Sequence, residues 1–448
     1  VAFGVKDSGF SFFLLPFYNL VLGVDASTVG AALAAALVID ALVDPLIGHL
    51  SDRTYTKWGR RLPWLYLAPW PLALVWTMLW SPPFTGTPGF WDIVALAVGV
   101  RLLLSACEVP SVSLVPEITD DYDDRTTLFR YRFLSGWLGG LLMMVLTFTV
   151  FLPTPQSQLQ PEGYASYGLF GAALIALSVI GSAAAQHRIV AQLPERRPPP
   201  FSITGAFAEI FDAFREKAFV IFALGGLAAY VLQGMTFSIT QYVNLYVWQF
   251  SELAFQLYPA VLFLSVVLMF VIVGPLHRRW GKPKSAALGA LVGLAFYCSP
   301  YVFYLAGAWP TVGTTASTAL LYGFLVCANT ASVVAIISAT SMVAEIVEAF
   351  EERTGQRAEG TFYAGNWLVQ KCATGGGILL TSLIVQSIDL APGTPQAEVA
   401  PETVRQLVWL FMLAATVLAS IAAFWLARFP ISREQHEARV AARRGRPA

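Results

Sequence analysis

Apolar residues in this chain gather into long runs separated by short polar or Pro/Gly-rich breaks, and the runs are of membrane-crossing length. A spanning helix needs roughly 20 apolar residues, and the pattern supplies about twelve candidates. These are 3–23, 28–50, 62–82, 89–113, 127–152, 166–187, 219–247, 254–276, 286–307, 315–342, 362–387 and 404–427, numbered here as spans 1 to 12. No charged segment with a small-residue cleavage site precedes the first run, so span 1 is expected to be a retained helix. The expected fold class is an all-α membrane protein of twelve transmembrane helices.

Composition agrees with that reading. The 448 residues are 56% hydrophobic and only 12% charged, with a mean hydropathy of +0.62, whereas a soluble domain carries about 25% charge. Cys107, Cys298, Cys327 and Cys372 all fall in apolar runs without paired spacing; they read as small core residues, with no disulfide framework or zinc site.

The basic residues set the topology. Arg53, Lys57, Arg60 and Arg61 lie between spans 2 and 3; Arg188, Arg196, Arg197, Arg215 and Lys217 between spans 6 and 7; Arg278, Arg279, Lys282 and Lys284 between spans 8 and 9; and six arginines follow span 12. The alternate loops carry almost none. Because cytoplasmic loops hold the Lys/Arg excess, an even number of spans with both termini cytoplasmic is expected.

The long basic connection divides the chain into a six-helix half over 1–188, a linker over 189–218, a second six-helix half over 219–428 and a basic tail over 429–448. Within the linker, Ile203 to Phe214 has the periodicity of an interfacial amphipathic helix. The halves also echo one another, since Trp58-Gly59-Arg60-Arg61 follows span 2 and Trp280-Gly281-Lys282 follows span 8. Such a plan matches the two-repeat major facilitator fold.

Charges at bilayer depth cost at least about 2.5–3.5 kcal/mol each and by default mark a site. Here they are Lys6 and Asp7 in span 1, Asp40 and Asp44 in span 2, Arg101 and Glu108 in span 4, Arg130 and Arg132 entering span 5, and Lys371 in span 11. Asp40 and Asp44 share one helix face a turn apart. Two carboxylates that close in low dielectric need a metal ion, a proton or a base, which is the logic of a coupling-ion site. Lys371 is the natural base to balance them when the cation is absent. Glu108 and Arg132 meet if spans 4 and 5 are antiparallel neighbours, and could then orient a polyhydroxylated ligand. Arg101 pairs with another acid or serves the site; both readings stand.

His49, His187, His277 and His436 lie at or beyond the basic ends of helices and read as solvated interfacial residues. Trp80, Trp91, Trp248 and Trp309 near one edge, and Trp58, Trp64 and Trp280 near the other, fit aromatic belts. Trp367 lies one turn before Lys371 and either stacks on a ligand or packs in the core. Gly375, Gly376 and Gly377 beyond it suit close helix approach.

Several motifs resemble the glycoside-pentoside-hexuronide:cation symporters of the major facilitator superfamily. They are Asp40-Ala41-Leu42-Val43-Asp44-Pro45-Leu46-Ile47-Gly48 with Ser51-Asp52-Arg53 and Trp58-Gly59-Arg60-Arg61; Glu108-Val109-Pro110 with Ser113-Leu114-Val115-Pro116; Arg132-Phe133; Met342 to Val347; and Lys371. The resemblance implies a cation site at Asp40, Asp44 and Ser105, with a sodium ion at the two aspartates as one candidate occupant. It implies a substrate site using Asp7, Glu108, Arg132, Asn366, Trp367 and Lys371. The cytoplasmic gating motif would be Gly48, Asp52, Arg53, Gly59, Arg60 and Arg61. Val43 stands where sodium-using members commonly carry asparagine, which favours a proton. Val112 replaces an aromatic found in the family and favours a more amphipathic ligand.

The function this implies is symport of a sugar, glycoside, uronate or similar polar solute with H⁺ or Na⁺ by alternating access. The competing reading is transport of an amphiphile such as a lysophospholipid. An enzyme is not expected, because the short outer loops hold no catalytic triad, phosphate loop or metal-ligand spacing. No cofactor beyond the coupling ion and no nucleic-acid partner is expected. The bilayer, a small solute and a cation are the expected partners of a monomer in the bacterial inner membrane.

Overall fold

The computed structural model describes residues 1–431 apart from 120, 194–207, 209, 356–357 and 389. Ten helices among them are long and apolar enough to cross a membrane. One runs over Glu252–Leu305, and Gly281 breaks it with φ 74° and ψ 169°. That residue separates predicted spans 8 and 9. Span 1 occupies residues 2–21 as a continuous helical run that alternates α-turns with two π-helical segments, Gly9–Phe13 and Phe17–Val21. Each of the twelve predicted spans therefore falls on helix.

In hydrocarbon every backbone polar group must be satisfied within its own segment, which is why the apolar runs become helices. Several extend beyond the length the bilayer requires. Span 4 reaches Ile118, span 6 reaches Val190, and span 10 covers Thr315–Thr354, all lengthened at the ends that face the basic loops. Gly355, at φ 71°, closes span 10 in the left-handed conformation that a Cβ disfavours. The predicted amphipathic run from Ile203 to Phe214 lies mostly outside the described residues, and so does the tail beyond 431.

Two compact units emerge. The first comprises Val1–Ile203 with Met235–Pro259 and Ile378–Thr403; the second comprises Thr204–Gly234, Ala260–Gly377 and Val404–Ala448. In the first unit, span 2 packs on span 4, span 3 on spans 4 and 6, and span 1 on span 5. Lipid removes the hydrophobic drive between helices, so close packing must hold them together. The backbone of Gly4 meets that of Gly136 and Gly140 too closely to admit a side chain.

An aromatic core fills the end of the first unit away from the basic loops. Trp80 stacks on Tyr164 with ring centroids 6.1 Å apart and meets Tyr167 edge-on at 4.8 Å. Phe17 lies 4.6 Å from Tyr164. Such pairs contribute about 0.5–1.5 kcal/mol each beyond burial. Trp80 is 1% and Trp248 2% exposed, which corrects their expected place in an aromatic belt: both are core residues. Polar bonds complete this end. Tyr242 Oη donates to Asn19 Oδ1 at 2.9 Å, and Ser238 Oγ donates to Thr381 Oγ1 at 2.7 Å.

The second unit is built around Phe219, Phe222, Met342, Ile346, Phe362 and Leu426 from spans 7, 10, 11 and 12. The four cysteines are free; Cys107 and Cys298 are buried, Cys372 is half-buried, and Cys327 is exposed on its helix rather than placed in the core.

Candidate functional site

Spans 2 and 4 pack along their lengths, and that contact brings together the residues the sequence singled out. Asp40 is 4% exposed. Asp44, one turn on, is half-buried. Facing them from span 4, Ser105 Oγ lies 3.2 Å from Asp40 Oδ1 and 2.7 Å from Asp44 Oδ1. A hydroxyl has one proton to donate. It can donate to one carboxylate at a time and bridges the two.

A positive charge reaches the pair from the same helix. Arg101 Nη1 donates to Asp40 Oδ2 at 3.0 Å, with both side chains 6% exposed. Arg101, from the same unit, is therefore a base that pairs with Asp40. Lys371 is half-buried on span 11 in the second unit. The Arg101 guanidinium also lies over the Phe10 ring, 4.7 Å from its centroid, a contact that steadies a desolvated cation.

Three residues beyond Ser105, Glu108 accepts from Arg132 Nη2 at 3.4 Å, and Arg132 Nη1 donates to Ser111 Oγ at 2.8 Å. Spans 4 and 5 therefore meet as the sequence anticipated. Each of these side chains is about a third exposed, so both can still reach a solute. Asp7 is exposed on span 1, 3.8 Å from Lys6 Nζ. Lys6 is itself buried, and its electrostatic neighbours are Asp7, Arg101, Glu108 and Asp40.

In the second unit, Asn366 is buried and its Oδ1 accepts from Tyr230 Oη at 3.2 Å. Trp367 is 56% exposed, so it presents a ring surface rather than packing in a core.

At the basic end of the first unit, residues of the motif expected to form a gate bond to one another. Arg60 Nη2 and Arg61 Nη2 reach Glu117 Oε1 at 2.7 and 3.0 Å, and Arg61 also pairs with Asp52. Arg61 Nη1 donates to Ser51 Oγ at 2.6 Å, and Ser51 in turn donates to the Gly48 carbonyl at 2.9 Å. Gly59 makes the turn at φ 83°, and Arg53 is exposed.

Sequence reasoning missed Glu117 as the acid that joins Arg60 to Arg61, and Ser111 as the second partner of Arg132. The signal for Glu117 was its place at the end of span 4, level with a basic loop. Two histidines depart from a solvated role: His187 Nδ1 lies 3.0 Å from Tyr66 Oη and His277 Nε2 lies 2.7 Å from Ser338 Oγ. His436 falls outside the described residues.

Comparison with known proteins identifies the family. An uncharacterized symporter, sll1374, of Synechocystis sp. is 27% identical over 522 aligned residues, covering 97% of this chain and 94% of the relative. The isoprimeverose transporter of Lactiplantibacillus pentosus is 33% identical over 139 residues, or 30% of this chain and 29% of the relative. Among solved structures, a bacterial homologue of the human lysosomal transporter Spinster, in an inward-facing and unoccupied conformation, superposes with a TM-score of 0.69. It is 14% identical and covers 96% of each chain, which fixes the major facilitator fold and nothing finer. Residues 1–433 match the family described as MFS/sugar transport protein. The chain is a multi-pass integral membrane protein and belongs to that family of transporters.

Proposed function

We propose that this protein is a secondary active transporter that couples a monovalent cation, H⁺ or Na⁺, to symport of a sugar, glycoside, uronate or similar small polar solute. One observation carries the reading. Span 4 presents Ser105 to the Asp40–Asp44 pair and, three residues on, presents Glu108 to Arg132. A single helix therefore links the candidate cation site to a partly open acid–base pair suited to hydroxyl groups. Movement of that helix when a cation binds would reshape the solute site, which is the linkage symport needs.

In this reading Asp40, Asp44 and Ser105 hold the cation. Asp7, Glu108, Arg132, Asn366, Trp367 and Lys371 contact the solute. Halves over 1–188 and 219–428, joined by the linker 189–218 and followed by a basic tail, rock about the site by alternating access. Gly48, Asp52, Arg53, Gly59, Arg60 and Arg61 form the cytoplasmic gate. The basic loops support a cytoplasmic location for both termini in a bacterial inner membrane. The carrier acts as a monomer and needs no cofactor besides the ion. Family membership and the relative named an isoprimeverose transporter support the sugar class.

The test is uptake by proteoliposomes holding the full chain, screened with labelled glycosides, pentoses and uronates under imposed proton or sodium gradients. Accumulation of a sugar driven by either gradient supports the reading. Movement of lysophospholipid headgroups, with no gradient-driven sugar uptake, would replace it with the amphiphile carrier.

A further inference from the structure

Two turns at the basic helix ends, one in each unit, divide their cations in the same way. The order is Lys57-Trp58-Gly59-Arg60 between spans 2 and 3, and Arg279-Trp280-Gly281-Lys282 between spans 8 and 9. The base after each glycine is committed to an acid: Arg60 Nη2 lies 2.7 Å from Glu117, and Lys282 Nζ lies 2.9 Å from Glu345. The base before each tryptophan is placed differently. Lys57 Nζ stands over the Trp58 ring, 5.5 Å from its centroid, and the Arg279 guanidinium stands over the Trp280 ring at the same 5.5 Å. Among the described residues neither Lys57 nor Arg279 forms a salt bridge.

Both indoles are held partly outside the protein, Trp58 at 41% and Trp280 at 43% exposure. Trp58 is braced there by Tyr66 and His187, whose rings it meets edge-on at 6.0 Å each. The helix after each turn carries exposed apolar side chains: Leu67, Trp70 and Leu74 on span 3, and Leu288, Leu291 and Val292 on span 9. Their three- and four-residue spacing puts each set on one helix face. A base on an indole and an apolar stripe therefore follow one another along the chain in both units. An indole settles at headgroup level in a bilayer, and a cation on its face is attracted by the ring.

We propose that each turn binds one anionic phospholipid, with Lys57 or Arg279 on its phosphate, the indole of Trp58 or Trp280 against its glycerol region, and an acyl chain along the stripe of the following helix. The carrier thus holds two such lipids, one per unit. Tryptophans in a belt take any headgroup alike; the base on the ring adds a preference for net negative charge. A choline headgroup brings its own cation and forfeits that gain. The acids that hold Arg60 and Lys282 keep the turns in shape, which leaves Lys57 and Arg279 for the lipid.

The experiment is native mass spectrometry of the detergent-solubilised full chain, titrated separately with phosphatidylglycerol, phosphatidylcholine and inorganic phosphate. The wild type should retain two phosphatidylglycerol molecules at concentrations where phosphatidylcholine is not retained. Lys57→Gln and Arg279→Gln should each weaken one of the two binding steps about fivefold, and the double variant should weaken both. Lys57→Arg and Arg279→Lys keep the charge and should keep the lipid. Arg405→Gln, a control exposed at the start of span 12, should change nothing. Equal retention of the two lipids, wild-type binding by the double variant, or displacement of phosphatidylglycerol by inorganic phosphate overturns the proposal. If the double variant does not fold, the lipid preference of the wild type and the two single variants decide it.

Discussion

Glu117 accepts from Arg61 Nη2 at 3.0 Å at the basic end of span 4, and the same relationship recurs in the other unit, where Lys282 Nζ lies 2.9 Å from Glu345 near the end of span 10. In both cases the base follows a Trp-Gly pair. Both glycines are left-handed, Gly59 at φ 83° and Gly281 at φ 74°. The turn repeated in the sequence is thus a repeated device: a glycine reverses the backbone so that the next bases return to an acid at the end of a neighbouring helix.

Removing either acid should destabilise its own unit. Glu345 is 8% exposed at the side chain, and breaking a buried pair from one side costs about 3–5 kcal/mol. Glu345→Ala should therefore lower the apparent melting temperature of the detergent-solubilised protein more than Arg353→Ala, whose own side chain is 62% exposed. Equal shifts would show that the Lys282 pair contributes nothing beyond a surface contact.

A Cβ at positive φ costs about 1–3 kcal/mol. Gly59→Ala and Gly281→Ala should each lower thermal stability by that order. Gly136→Ala, where a Cβ meets nothing within 4 Å, should leave it within about 0.5 kcal/mol of wild type or raise it slightly. Scanning fluorimetry on the three variants orders them.

Arg132 uses two different nitrogens, one on Ser111 and one on Glu108. Lysine cannot reproduce that fork. Arg132→Lys should raise the KM for solute by about tenfold or more, equivalent to about 1.4 kcal/mol, while leaving solute-free cation responses intact. A Lys variant with wild-type KM would remove Arg132 from the solute site.

Ser105→Ala deletes the hydroxyl between the two aspartates. The loss of a buried hydrogen-bonding group costs about 1–3 kcal/mol, so apparent cation affinity in transport assays should fall by about 5- to 150-fold. Threonine at this position keeps the oxygen and should recover most of it.

The membrane class and span positions were legible in the sequence because hydrocarbon enforces an apolar length and demands helix. The acid pair was legible too, since Asp40 and Asp44 stand one turn apart on any helix. Their partners were not. Arg101 meets Asp40 across 61 residues of sequence, and it is the packing of span 2 on span 4 that brings the two together. Glu117 follows Pro116 and reads as a loop acid until the turn at Gly59 brings Arg60 and Arg61 to it. Trp80 looked like an interface residue because it ends an apolar run; Tyr164 and Tyr167, which bury it, lie on span 6.

The most direct test is the fate of Asp44. In proteoliposomes given an inward cation gradient, Asp44→Asn should abolish accumulation of the identified solute while solute exchange across the membrane continues at a measurable rate, because the cation loses its carboxylate and the path remains. An Asp44→Asn carrier that still concentrates solute against its gradient contradicts the account.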